Sequence, residues 1–217
     1  GLGAASFEEM YDDAVDALLS GAARDLQEAA GRLKGLPPRD PQAAAALGYP
    51  KGPLGHDLAE LARLIKADVG VHLGFVEVGG WDHHVDEGSA GGRMGRGLTE
   101  LGAALSAFRR DLGPRADETL LVTMTEFGRT AQENGNRGTD HGHGSVMMLL
   151  GGGVRGGRVY GNWPGLSPDG LYQGRDLAVT TDFRQVLHEC LADAAGLADE
   201  RGVFPGFKPG PGLGLFA

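Results

Sequence analysis

Apolar positions recur at three- and four-residue steps through the first third of the chain. Phe7, Met10, Tyr11, Ala14 and Leu18, followed by Leu26, Ala29, Ala30 and Leu33, predict helix over residues 1–35. Ser6 and Glu9 have capping-box spacing, which marks a helix start, and Gly21 is a candidate break in the run. Residues 36–53 hold five prolines and an alanine tract and predict a linker with a short helix at 42–47. Leu54, Leu58, Leu61 and Ile65 mark another amphipathic helix.

The rhythm changes at Gly70. Residues 71–78 predict a strand ending at Gly79-Gly80. A long apolar stripe follows at helical spacing: Met94, Leu98, Leu101, Leu105, Phe108 and Leu112, stopped by Gly113-Pro114. Residues 119–125 and 145–150 read as two more strands with nearly continuous apolar character, which suits strands buried on both faces. Strand, helix and strand in this order predict a βαβ unit and a mostly parallel sheet. Residues 159–160 and 177–179 are candidate short strands. Asp182 is placed to cap a last helix over 183–194, and residues 204–217 form a Pro/Gly-rich tail expected at the surface. The expected organisation is thus a helical segment (1–35), a linker (36–53), an α/β core carrying the site motifs (54–203) and the tail.

Composition narrows the function classes. The chain has 217 residues and carries 39 glycines, more than twice the usual share of about 7%. They follow no collagen period and so serve turns and close backbone approaches. Lys and Arg total 20 and Asp and Glu 29, for a net charge of −9, which argues against nonspecific nucleic-acid binding. No apolar run approaches the ~20 residues of a membrane span. The single cysteine, Cys190, excludes an internal disulfide and reads as core packing.

Polar clusters sit in the loops around the predicted strands, where open sheets bind ligands. The first is Gly79-Gly80-Trp81-Asp82-His83-His84-Val85-Asp86, the second Thr125-Glu126-Phe127-Gly128-Arg129-Thr130, the third Gly138-Thr139-Asp140-His141-Gly142-His143-Gly144. Four of the seven histidines lie in two of them. Imidazole nitrogens and carboxylate oxygens converging on one point are what a divalent cation requires. Asp82 and His84 share a side if the chain is extended there, which turns His83 away. Asp140, His141 and His143 lie in a Gly-flanked loop that can bend close to an ion. Glu126 is placed either to complete the site or to orient a ligand. Arg129 has two readings: a fork for an anionic substrate, or a salt bridge to Glu126 or Glu133. Trp81 reads as packing, and the Gly-rich stretch 151–157 as a turn, because no helix opens after it. His56, His72 and His188 read as structural. No Gly-x-Ser-x-Gly elbow is present, and Thr125, Thr130, Thr139 and Ser145 carry no mark of activation.

The same residues carry a resemblance to a known family. Gly-Gly-Trp-Asp-His-His (79–84), Thr-Glu-Phe-Gly-Arg-Thr (125–130), Glu-Asn-Gly-Asn-Arg-Gly-Thr-Asp-His-Gly-His-Gly (133–144), Gly-Gly-Arg-Val-Tyr-Gly-Asn-Trp-Pro-Gly-Leu (156–166) and Thr-Thr-Asp-Phe-Arg (180–184) are similar to the bacterial domain-of-unknown-function family 1501, over its C-terminal half. The resemblance implies membership of the alkaline phosphatase and sulfatase-like superfamily. It implies a three-layer α/β/α fold around a mainly parallel sheet, lacking its N-terminal part. It also implies a divalent metal ion, zinc being the expected identity. Asp82 and His84 match the first metal pair. Glu126-Phe127 occupies the place of the second pair; Phe cannot ligate, so any second metal falls to Asp140 and His141. His141 or His143 completes the first site. The superfamily's nucleophile falls before Gly1, so the N-terminal half of the same protein is an expected partner. Twin-arginine export implies a periplasmic or exported location. The function implied is metal-dependent hydrolysis of a small anionic phosphate or sulfate ester, with Arg129 and Glu126 as catalytic residues. The alternatives are a non-catalytic exported binding or envelope protein on the same scaffold, and a phosphoryl-moving isomerase or transferase.

Overall fold

The computed structural model describes residues 17–38, 40–194, 196 and 203–217. Helix α1 (Ala17–Lys34) passes through Gly21 without a break, and the capping box at Ser6 lies outside the described residues. Helix α2 (Pro41–Ala46) starts where Asp40 Oδ1 accepts from the backbone N–H groups of Gln42 and Ala43, at 2.9 and 3.1 Å.

Helices α3 (Pro53–Lys66) and α4 (Arg93–Leu112) build the first core. Their apolar stripes meet: Leu54, Leu58 and Ala62 face Ala104, Ala107, Phe108 and Leu112 in one buried cluster. Ala62, Ala104 and Ala107 are completely buried. Three methyl-sized side chains at this contact let the helices approach closely. Tyr49 closes one end of the cluster, its hydroxyl donating to Asp111 at 3.0 Å. Gly113, at φ 55°, ends α4 and turns the chain into a short 3-10 segment.

The sheet differs from the expected one. Strands β1 (Leu120–Val122), β2 (Gly128–Arg129), β3 (His141–Gly142), β4 (Leu149–Gly151), β5 (Leu171–Tyr172) and β6 (Asp176–Leu177) form three two-stranded sheets, β1–β4, β2–β3 and β5–β6, and all three pairs are antiparallel. The three-layer α/β/α architecture around a mainly parallel sheet is therefore overturned. The reason lies in what an apolar run reports: burial, but neither direction nor partner. The chain reverses between residues 122 and 149, so β4 returns against β1. The expected strand at 71–78 joins no ladder among the described residues. It is laid on the helices, Val76 packing against the first core, while Leu73 and Phe75 are 91% and 85% exposed. Residues 159–160 are not a strand either; Val159 is exposed.

Helix α5 (Phe183–Ala194) has the expected bounds, with Asp182 accepting from the Arg184 N–H at 2.9 Å. Val186 and Cys190 on α5 make a second core with Leu215, against which Leu120, Val122 and Leu149 pack. The tail is thus partly interior: Leu215 is buried, and Glu189 accepts from the backbone N–H groups of Leu213, Gly214 and Leu215. Burial pushes the Cys190 thiol up to about 11, consistent with a packing residue.

Candidate metal centre

Two loops run side by side to make the site. The Asp86 and Glu87 N–H groups donate to the carbonyls of Asn136 and Arg137, and the Thr139 N–H donates to the His83 carbonyl, at 3.1, 2.9 and 3.1 Å. Gly138 sits where a Cβ would lie 2.4 Å from the His83 oxygen, a separation no side chain tolerates. This close approach brings residue 82 beside residue 141.

Asp82, His84 and His141 converge, their ligand atoms all within 4.8 Å of one another. Asp82 Oδ1 lies 3.0 Å from His84 Nε2 and 2.9 Å from His141 Nε2. Zinc–ligand bonds of ~2.0–2.1 Å in a tetrahedron would hold such atoms roughly 3.3 Å apart, so small adjustments admit an ion. Two imidazoles and one carboxylate also form the donor set of a three-ligand catalytic site with an open position. All three side chains are about half exposed, which leaves that position accessible. Asp82 and His84 face the same way, as expected, and His83 turns into the interior.

The expected ligands divide into three groups. Asp140 takes part as an orienting group: its Oδ1 lies 2.9 Å from His84 Nδ1, the outer-carboxylate arrangement that fixes a metal-binding imidazole with Nε2 toward the ion. His141, rather than His143, completes the cluster. His143 instead meets Asp176, its Nδ1 2.9 Å from Oδ2. Asp140 and His141 therefore do not pair to hold a second ion; both serve the first cluster. Glu126 is exposed and joins none of these contacts.

Arg129 is engaged internally. Its Nη1 donates to Asp82 Oδ1 at 2.7 Å, its Nε to Thr139 Oγ1 at 2.8 Å, and its Nη2 to the Thr139 carbonyl. Its ion pair is with Asp82, not with Glu126 or Glu133. The Arg129 hydrogen bond, then that of His141, holds the Asp82 carboxyl below the usual carboxylate range. Asp140 is lowered in the same way by His84 and Asn134. Both shifts favour the ionised carboxylate. Phe127 stacks on His141 with centroids 4.0 Å apart and planes 6° from parallel, so the residue that cannot ligate still fixes the imidazole's orientation.

Sequence reasoning missed three supporting residues. Asn134 Nδ2 donates to the His84 carbonyl and to Asp140 Oδ1, both at 3.0 Å, while its Oδ1 accepts from the N–H groups of Asn136 and Gly138. The Asn-Gly-Asn run at 134–136 is turn chemistry that signals such a side-chain-to-backbone cap. The Thr139 hydroxyl donates to Glu87 at 2.6 Å, tying the loops again. Asp176, almost fully buried, is the third. Trp81 lies over Gly97 of α4, a packing role as expected.

Fold and site together define a helix-rich protein with short antiparallel sheets and a solvent-open cluster of two histidines and one carboxylate. The family described as a protein of unknown function (DUF1501) matches residues 11–205, and the chain belongs to that family. No curated protein and no solved structure matches it. Among the described residues no helix is long and apolar enough to cross a membrane.

Proposed function

We propose that the chain carries the metal centre of a zinc-dependent hydrolase of small anionic phosphate or sulfate esters, working in an exported setting. The observation that carries this reading is the position of His84, bound at Nε2 to Asp82 and at Nδ1 to Asp140. A metal-binding imidazole characteristically gives one nitrogen to the ion and the other to an orienting carboxylate, and Asp140 stands in that second place while Nε2 faces the cluster. Asp82, His84 and His141 would hold the ion. When bound, it supplies Lewis-acid polarisation of an ester oxygen. The rest falls to the chain: Asp140 sets the His84 ring, Arg129 holds Asp82 Oδ1 in place, and Phe127 steadies His141.

Metal analysis and an aryl phosphate and sulfate panel, with and without chelator, test this reading. One zinc per chain and chelator-sensitive turnover are expected, both lost in His84→Ala and His141→Ala. Zinc uptake without turnover would favour the second reading, a metal-bearing binding protein. The commitment of Arg129 to Asp82 and Thr139, which fills its fork with the chain's own groups, supports that alternative.

A further inference from the structure

Two apolar surfaces stand uncovered at neighbouring places in the fold. The first is the outer side of residues 71–78. Gly74 and Val76 turn inward: a Cβ on Gly74 would lie 2.7 Å from Leu61 of α3, and Val76 packs on the first core. Leu73 and Phe75, one step out of phase, face outward at 91% and 85% exposure. Strand β1 shows the same division: Leu121 packs on the first core, while Leu120 and Val122 pack with α5 in the second. On β1 the outward side is covered by a helix; among the described residues nothing covers Leu73 and Phe75.

The second surface is helix α1. Between residues 24 and 34 every side chain but that of Ala30 is exposed, Leu26 and Leu33 among them at 64% and 47%. Spaced by two turns, these leucines share one face. A lone helix of this length is marginal in water, and its stability comes chiefly from packing an apolar face. Arg32 Nη1 donates to the Val69 carbonyl at 3.3 Å, which sets the end of α1 beside the start of 71–78 without bringing the two apolar faces together. Their lengths agree. The 18 residues of α1 span roughly 27 Å, and the extended residues 71–78 span roughly 26 Å.

We propose that two copies of the chain form a two-fold dimer in which α1 of each copy lies over Leu73 and Phe75 of the other. One contact covers both faces. Made twice about a two-fold axis it consumes both surfaces of each copy, so assembly closes at two rather than running on as a filament. Helix α1 of the second copy takes the place over 71–78 that α5 holds over β1. Charge complements the contact: α1 carries Arg24, Arg32 and Lys34 against Asp25 and Glu28, in a chain of net charge −9, and 71–78 carries Glu77 as its acidic residue with no Lys or Arg.

Sedimentation velocity of the whole chain over a range of concentrations is expected to show a monomer–dimer equilibrium. Leu26→Ser with Leu33→Ser weakens it about tenfold or more, and so does Leu73→Ser with Phe75→Ser, each pair removing one side of both contacts. A short bis-maleimide then reports which surfaces meet, because the native Cys190 is buried and gives no background. Leu26→Cys or Leu33→Cys chains mixed with Phe75→Cys chains are expected to give a covalent dimer, and chains of any one kind alone are not. A monomer at all concentrations overturns the proposal, as does a dimer insensitive to the α1 pair. Cross-linking of Phe75→Cys chains to one another, strand against strand, or of Leu33→Cys chains to one another, helix against helix, overturns it too.

Discussion

Asp140 and Asp82 hold the two ring nitrogens of His84 from opposite sides, at 2.9 and 3.0 Å. One carboxylate stands in the His–Asp cluster and the other outside it. Replacing Asp140 by Asn keeps the side-chain volume and removes the charge that orients the ring. Zinc affinity, read by competition with a chelator, is expected to fall about 10–100-fold with the fold unchanged. Unchanged affinity would mean that His84 is positioned by something other than Asp140.

Gly138→Ala attacks the same site through the backbone. Its Cβ would meet the His83 oxygen and the His84 carbonyl carbon, both at 2.4 Å, and neither can step aside without parting the loops. A loss of about 1–3 kcal/mol in thermal or denaturant unfolding is expected, together with loss of zinc binding. Full stability with full binding would show the two loops to be further apart.

Acid should loosen the tail before it unfolds the helices. Burial raises the Glu189 carboxyl, but the N–H donors of Leu213, Leu215 and Gly214 and the Gln185 amide outweigh it, and the net shift is downward from 4.5. A depressed folded value contributes stability that is present above the unfolded value and is lost as pH falls through the folded one. The tail clamp therefore weakens progressively below about pH 4.5. Hydrogen exchange of the Leu213 and Leu215 amides checks this, and Glu189→Gln should speed it even at neutral pH, at a cost of about 1–2 kcal/mol. Exchange independent of both pH and the substitution would contradict the clamp.

The extended stretch at 71–78 has an exposed apolar side and, among the described residues, no ladder partner. Such edges associate. Concentration-dependent self-association and binding of a hydrophobic dye are expected, and Leu73→Ser with Phe75→Ser should reduce both. Sedimentation velocity distinguishes the outcomes; a variant that associates as strongly as the parent rules this stretch out.

How far the residues alone disclosed these features depended on the range over which each is decided. Helices α3, α4 and α5 were legible because a stripe such as Leu54, Leu58, Leu61 and Ile65, with Pro, Gly or Asp at its ends, is settled within a few turns, and α2 from its alanine tract behind Pro41. The shared side of Asp82 and His84 was legible from their two-residue spacing, although residues 82–84 form no strand. The parallel sheet failed because pairing is settled over long separations: nothing in 145–150 says that it lies antiparallel to 119–125. The division of labour between His141 and His143 was equally hidden. It turns on Asp176, 33 residues beyond His143. Arg129 was seen as an ion-pairing or anion-binding group, but its partner lies 47 residues away, out of reach of any local pattern.

Asp82 and His141 are 59 positions apart in the chain, yet they touch. An ion seated between them would act as a non-covalent cross-link across that whole span, shutting a large ring that the denatured chain leaves open. Its capture would then raise the melting temperature in step with ligand concentration, and stripping it would loosen residues 82–141 first.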